Sequence, residues 1–74
     1  MKKFQATIIA ELQIGDRFYF LNDKYKKSQE VLKFFPGKTD RAEIQQILGH
    51  KQVVNASRDV AFLNTRAERA AEKK

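Results

Sequence analysis

Apolar and polar residues alternate with a period of two along much of the chain, which is the pattern of β-strands that bury one side. In residues 17–21, Phe18 and Phe20 fall on one side of such a strand and their neighbours on the other. We expect the two phenylalanines to face the core. The same pattern predicts four further strands, over residues 4–11, 28–35, 51–56 and 60–64.

The period also groups the residues of each strand by face. In the first strand, Phe4, Ala6, Ile8, Ala10 and Leu12 fall on one face at period two. Phe62 in the last strand is expected in the core, because a domain of this size needs its large aromatic residues inside. Phe34 and Phe35 are adjacent and point to opposite faces of a strand, so one of them is expected to be exposed or covered by a helix.

Residues 40–48 have a different spacing. Asp40 and Glu43 resemble the N-terminal capping box of a helix, and Gly49 stands where a helix would end. Apolar residues then recur at the i, i+3, i+4 positions Ile44, Ile47 and Leu48. This predicts a short helix between the third and fourth strands, although the same residues can also be read as a strand.

A turn connects the first two strands. Gly15 allows a positive φ there, and Asp16 can accept hydrogen bonds from nearby backbone amides. The pattern Leu12-x-x-Gly15-Asp16-x-Phe18-x-Phe20 resembles the strand entry of small SH3-like β-barrels. The resemblance covers residues 12–21 and implies a mainly β fold, a small five-stranded SH3-like or OB-like barrel with one short helix between strands 3 and 4. Such barrels occur as nucleic-acid binders, peptide binders and accessory subunits, so the fold does not choose among these functions.

The 74 residues are enough for one domain. We expect the barrel to occupy residues 1–64 and residues 65–74 to form a flexible or frayed-helical charged tail, because the tail has no large apolar residue. The sequence has no cysteine and a single histidine, which excludes disulfides and a Cys/His zinc site. We predict no cofactor, no membrane contact and a cytoplasmic location.

The charge balance adds a functional hypothesis. The sequence has 15 Lys and Arg residues against 9 Asp and Glu residues, a net charge of +6, which favours anionic partners such as nucleic acid. Lysines pair with phosphates and aromatic rings stack on bases. The predicted nucleic-acid-binding residues are therefore Arg17, Tyr19, Lys24, Tyr25, Lys26, Lys27 and Lys33. The same lysines would also protect an edge strand from aggregation, without any ligand.

A protein-interaction module or accessory subunit is the alternative. Its surface would be an apolar strip that contacts a protein partner or forms a homodimer, made of Phe34, Phe35, Ile44 and Ile47. An exposed strand edge could also pair with a partner strand. An enzyme is not expected, because the carboxylates are scattered, His50 has no nucleophile placed near it by any motif, and no small-molecule substrate is indicated.

Overall fold

The computed structural model describes residues 1–37 and 40–72 of the chain. Six strands, one 3-10 turn and one helix follow each other in these residues. Their bounds are β1 Ala6–Ile8, the 3-10 turn Ile9–Glu11, β2 Arg17–Phe20, β3 Gln29–Phe35, β4 Arg41–Gln46, β5 Lys51–Asn55, β6 Asp59–Asn64 and α1 Arg66–Glu72.

The strands form one antiparallel sheet in the order β1-β6-β2-β3-β4-β5. The prediction of a mainly β protein is confirmed. The sheet has six strands where five were predicted, and in the described residues it is not closed into a barrel. The additional strand is β4, which lies where a helix was predicted.

The predicted helix over residues 40–48 is wrong, and the alternative reading as a strand is confirmed. Ala42 and Ile44 alternate with more exposed neighbours and are both completely buried. β4 pairs with β3 on one side and with β5 on the other. The ladders on both sides satisfy the backbone of β4, whereas a helix of about two turns is unstable unless other elements pack against it.

The first predicted strand is shorter than expected. Only Ala6–Ile8 pairs with β6, and the chain then tightens into the 3-10 turn Ile9–Glu11. The turn breaks the period of two, so Ile9 and Leu12 are buried while Ala10 is exposed. Before the turn, Phe4 and Ala6 are exposed and Ile8 is half-buried.

The core confirms the alternation that the sequence shows in β2, whereas β6 is buried on both faces at Val60, Ala61 and Phe62. Phe18 is completely buried, and its ring meets that of Phe20 edge-on, with the centroids 5.5 Å apart. Phe62 lies opposite Phe18 on β6 and is buried as well. The remaining core residues come from the strands, from the 3-10 turn, and from the positions that directly follow the 3-10 turn and β5: Ile9, Leu12, Val31, Ala42, Ile44, Ala56 and Val60.

A capping box begins the helix in the predicted tail. The Glu68 N–H donates to Thr65 Oγ1 at 3.0 Å, and the Thr65 N–H donates to Glu68 Oε1 at 3.1 Å. None of the helix residues is buried. The last two residues of the predicted tail, 73 and 74, lie outside the described part of the chain.

Candidate nucleic-acid interface

Asp23 organises the loop between β2 and β3. Its Oδ1 accepts the Tyr25 N–H at 2.9 Å, and its Oδ2 accepts the Lys27 N–H at 3.1 Å. Its carbonyl oxygen also accepts the Lys26 N–H at 3.1 Å, and Lys26 has a φ of 51°. Because one side chain holds the backbone at two positions, the loop presents its lysines from a defined turn. We call Lys24, Tyr25, Lys26 and Lys27 the basic tip.

The side chains of the basic tip lie in solvent. Tyr25 is 70% exposed, and its ring has Lys24 Nζ at 5.1 Å and Lys27 Nζ at 5.7 Å from the centroid. These are cation–π distances. The tip therefore combines positive charge with an exposed aromatic face.

The protonation of the Asp23 carboxyl should change the hydrogen bonds that hold the loop. The backbone N–H groups of Tyr25 and Lys27 lower the pKa of Asp23 below its ordinary value. A lowered pKa in the folded state means that these hydrogen bonds stabilise the loop at pH values above the unfolded-state pKa. The contribution is lost as the pH falls through the folded-state pKa. In an NMR pH titration, we expect the Tyr25 and Lys27 amide signals to move with the same midpoint as the Asp23 carboxyl.

Asp23→Asn is the matched variant for this titration. An amide has one acceptor oxygen where the carboxylate has two, so the variant can accept only one of the two N–H groups through that atom. Its Tyr25 and Lys27 signals should show no acid transition. Identical acid transitions in the variant and the wild type would contradict the role of Asp23.

A second aromatic group lies beside the basic tip. The rings of Phe4 and Tyr19 are 6.4 Å apart at a tilt of 58°. Lys3 Nζ lies 5.3 Å from the Phe4 ring, and Lys26 Nζ lies 5.9 Å from the Tyr19 ring. We call Phe4 and Tyr19 the aromatic pair. It has a lysine on either side, and Lys26 joins it to the tip.

Phe4 was predicted to begin the first strand, but it lies before β1, which begins at Ala6. Its N–H donates to the Phe62 carbonyl at 2.6 Å, and its φ is 68°. This hydrogen bond holds the backbone of Phe4 against β6, yet the residue is 59% exposed. The signal in the sequence that could have identified it is the run Lys2-Lys3-Phe4, which places charge next to an aromatic ring.

The other two predicted residues lie apart from the tip. Arg17 is half-buried on β2, with its Nε 3.5 Å from Glu30 Oε1. Lys33 lies three residues beyond Glu30 on β3, in the direction away from the tip, with its Nζ 4.7 Å from the Phe35 ring. A β-bulge between Val31 and Lys33 shifts the register there. Lys33 therefore does not join the basic surface.

The predicted partner-binding strip is not one surface. Ile44 is completely buried in the core, so it cannot contact a partner. Phe34 packs against the core, and Ile47 lies at the far end of β4 from Phe34 and Phe35. Phe34 and Phe35 instead line a shallow cavity of about 430 Å³ together with Ala10, Pro36, Asp40, Arg41 and Ala56.

Within residues 1–37 and 40–72, the only helix is α1, and no helix has the length and apolar character needed to cross a membrane. The same residues contain no group of three or more His, Asp or Glu side chains placed to hold a metal ion. The sequence matches no protein-family model, and comparison with curated proteins and with solved structures found no significant similarity.

Proposed function

We propose that this protein is a non-enzymatic binding domain for single-stranded nucleic acid or RNA, with modest sequence preference. The observation that carries the proposal is the aromatic pair, Phe4 and Tyr19, lying between Lys3 and Lys26. Rings of this kind offer stacking faces to any base, and lysines beside them pair with the phosphates. The ligand is single-stranded because only unpaired bases expose their faces to a protein ring.

The basic tip would extend this surface along the strand. Lys26 contacts the Tyr19 ring, and Tyr25 offers a further exposed ring between Lys24 and Lys27. A ligand that stacks on Tyr19 would therefore continue over the tip without crossing an acidic side chain of the tip itself. The carboxylate of Asp23 is occupied by backbone N–H groups.

We further propose that the sheet is an open relative of the SH3-like or OB-like barrels, with β4 as an additional strand in place of the predicted short helix. Two observations support this: the Leu12-x-x-Gly15-Asp16 entry into β2, and the curl that brings the Ala10 N–H to the Ala56 carbonyl at 2.9 Å. OB-folds are partly open barrels that bind oligonucleotides on their outer face. A location in the cytoplasm stays a prediction.

A titration at several salt concentrations tests the function. The wild-type protein should bind a fluorescent single-stranded oligonucleotide more tightly than its duplex at low salt. The triple variant Lys24→Gln, Lys26→Gln, Lys27→Gln should reduce the slope of log K against log salt by about 2, since each phosphate contact to a single strand contributes about 0.7.

The matched control removes three positive charges elsewhere, as Lys33→Gln, Arg41→Gln, Lys51→Gln, all of them exposed on β3 to β5. This control should leave the slope close to that of the wild type. An absence of oligonucleotide binding at low salt, or an equal loss of slope in both triple variants, would refute the proposed interface.

A protein-interaction domain remains the second candidate, and the cavity beside Phe34 and Phe35 favours it. β5 is in addition an edge strand with Val53 exposed, so its free edge could accept a partner strand. Sedimentation velocity separates the two functions. A concentration-dependent dimer that Phe35→Ser or Val53→Lys abolishes would favour this second function.

A further inference from the structure

The two edges of the sheet differ in how well they are protected. In the described residues, β1 pairs only with β6 and β5 pairs only with β4, so each has one free side. β1 has three residues, the 3-10 turn follows it directly, and Lys2 and Lys3 precede it. Short strands, local distortions and lysines all discourage pairing with another chain. β5 is longer, contains neither proline nor glycine, and carries the exposed Val53, so it is the more open edge.

The backbone of β5 offers free hydrogen-bonding groups at every second residue. The Ala56 N–H donates to the Asp40 carbonyl at 3.0 Å, in the same register that pairs Asn55 with Arg41. In an antiparallel ladder, hydrogen-bonded pairs alternate with pairs whose N–H and C=O groups point away from each other. The residues of β5 that present these groups to the free side are therefore Lys51, Val53 and Asn55.

We propose that β5 pairs with the β5 of a second copy of this chain, antiparallel about a two-fold axis at Val53. In this register Lys51 lies opposite the partner's Asn55, and Val53 lies opposite the partner's Val53. All three outward residues are used. Because each hydrogen-bonded pair exchanges two N–H···O bonds, about six bonds form between the copies. The result is one sheet that continues from one copy into the other.

The side chains favour this register over its neighbours. Pairing centred on Lys51 would set two ammonium groups directly opposite each other, and like charges in that position destabilise a ladder. Pairing centred on Asn55 would leave Lys51 and Val53 without a partner in β5. The axis at Val53 places each lysine opposite a neutral amide and pairs two β-branched side chains, which pack well in sheets.

The turn between β4 and β5 favours a second copy as the partner. Leu48 in this turn is fully exposed, with a φ of 61°, which is unusual for a leucine. An antiparallel pair brings the turn of one copy to the Asn55 end of the partner's β5. The apolar cavity of about 430 Å³ lies at that end of the strand, since Ala56 and Arg41 belong to its wall. The axis thus brings an exposed leucine to the end of the sheet that carries this cavity, once for each copy.

This inference rests on the second candidate function, the protein-interaction domain, and names its partner. β3 and β4 separate β5 from β2, where Tyr19 lies. The dimer is therefore tested without an oligonucleotide, and its failure would leave the aromatic pair and the basic tip unaffected.

Sedimentation velocity over a range of protein concentrations tests the dimer. The paired area is small, so we expect a Kd on the order of 0.1 mM. Val53→Lys should weaken the dimer at least about tenfold, because it places two ammonium groups opposite each other. Asn55→Asp should instead tighten it by about 2- to 30-fold, because Lys51 of each copy then faces a carboxylate. The control Ala67→Lys adds the same charge at an exposed position of α1 and should leave the Kd close to that of the wild type.

Amide hydrogen exchange measures the register directly. At concentrations where the dimer forms, the N–H groups of Lys51, Val53 and Asn55 should be protected, and dilution should remove this protection. Gln52 and Val54 should be protected at every concentration, because their N–H groups bond to β4. Circular dichroism melts verify that each variant is folded.

Three outcomes would overturn this interface: a monomer at all concentrations up to about 1 mM, a dimer that Val53→Lys leaves unchanged, or outward N–H groups whose exchange does not depend on concentration. A protein that stays monomeric while β5 binds a strand of a different protein would keep the second candidate function and refute the two-fold pairing.

Discussion

Replacing Phe18 with alanine should lower the free energy of unfolding by about 3–5 kcal/mol, the range for deleting a buried aromatic ring. Phe18 is completely buried, and its ring packs edge-on against Phe20. Small domains have total stabilities near the lower end of about 5–15 kcal/mol, so this loss would leave much of the chain unfolded at room temperature. Urea denaturation followed by far-UV circular dichroism measures it, since the sequence has no tryptophan for fluorescence.

Phe35→Ala is the control for this substitution. Phe35 is half-buried at the end of β3, where a truncated side chain leaves a site that solvent can fill. Phe35→Ala should lower the free energy of unfolding by about 1 kcal/mol, which is typical of a position away from the core. Equal losses of stability in the two variants would show that Phe18 is not central to the core.

Replacing Tyr19 with alanine should weaken binding of a single-stranded oligonucleotide by about 5- to 150-fold. The reason is that stacking of one base on an aromatic side chain contributes about 1–3 kcal/mol. Tyr19→Phe keeps the ring and should bind almost as well as the wild type, because stacking does not use the hydroxyl group. Fluorescence anisotropy at low salt gives both affinities, and circular dichroism verifies that each variant is folded.

The losses of affinity in the two kinds of variant distinguish base stacking from electrostatic attraction. If Tyr19→Ala binds like the wild type while the triple lysine variant of the basic tip does not, binding is electrostatic alone. That result would remove the aromatic pair from the interface. Phe4→Ala should then leave the affinity for the oligonucleotide unchanged as well.

Much of the sheet could be predicted from alternation because burial on one face imposes it directly. Phe18 and Phe20 on β2 are buried as their spacing indicates, and so are Val60 and Phe62 on β6, although Ala61 between them is buried as well. β4 could not be separated from a helix in this way, because Ile44, Ile47 and Leu48 fit the helical spacing. Leu48 in fact lies in the turn after β4 with a φ of 61°, fully exposed. The ladders on both sides of β4 decide its conformation, and neither is visible in its local sequence.

Only the part of the candidate site that is continuous in sequence could be predicted. The basic tip is continuous in sequence, so its four side chains could be named before the structure. Phe4 reaches Tyr19 because the N-terminal segment lies beside β6. This is a tertiary contact, and the alternation of residues along one strand does not predict contacts between distant segments. Lys33 was assigned to the site by assuming that strands 2 and 3 bring it near Tyr19. Its place on β3 beyond Glu30 puts it on another part of the surface.

The place of β6 between β1 and β2 determines how the sheet can assemble. Short connections join β3, β4 and β5 in series, so these strands can pair through local contacts. In the described chain, β1 has no neighbouring strand other than β6. We therefore expect folding to begin in this meander and to end with the insertion of residues 59–64. That last step closes the longest loop in the chain, and it should set the overall folding rate.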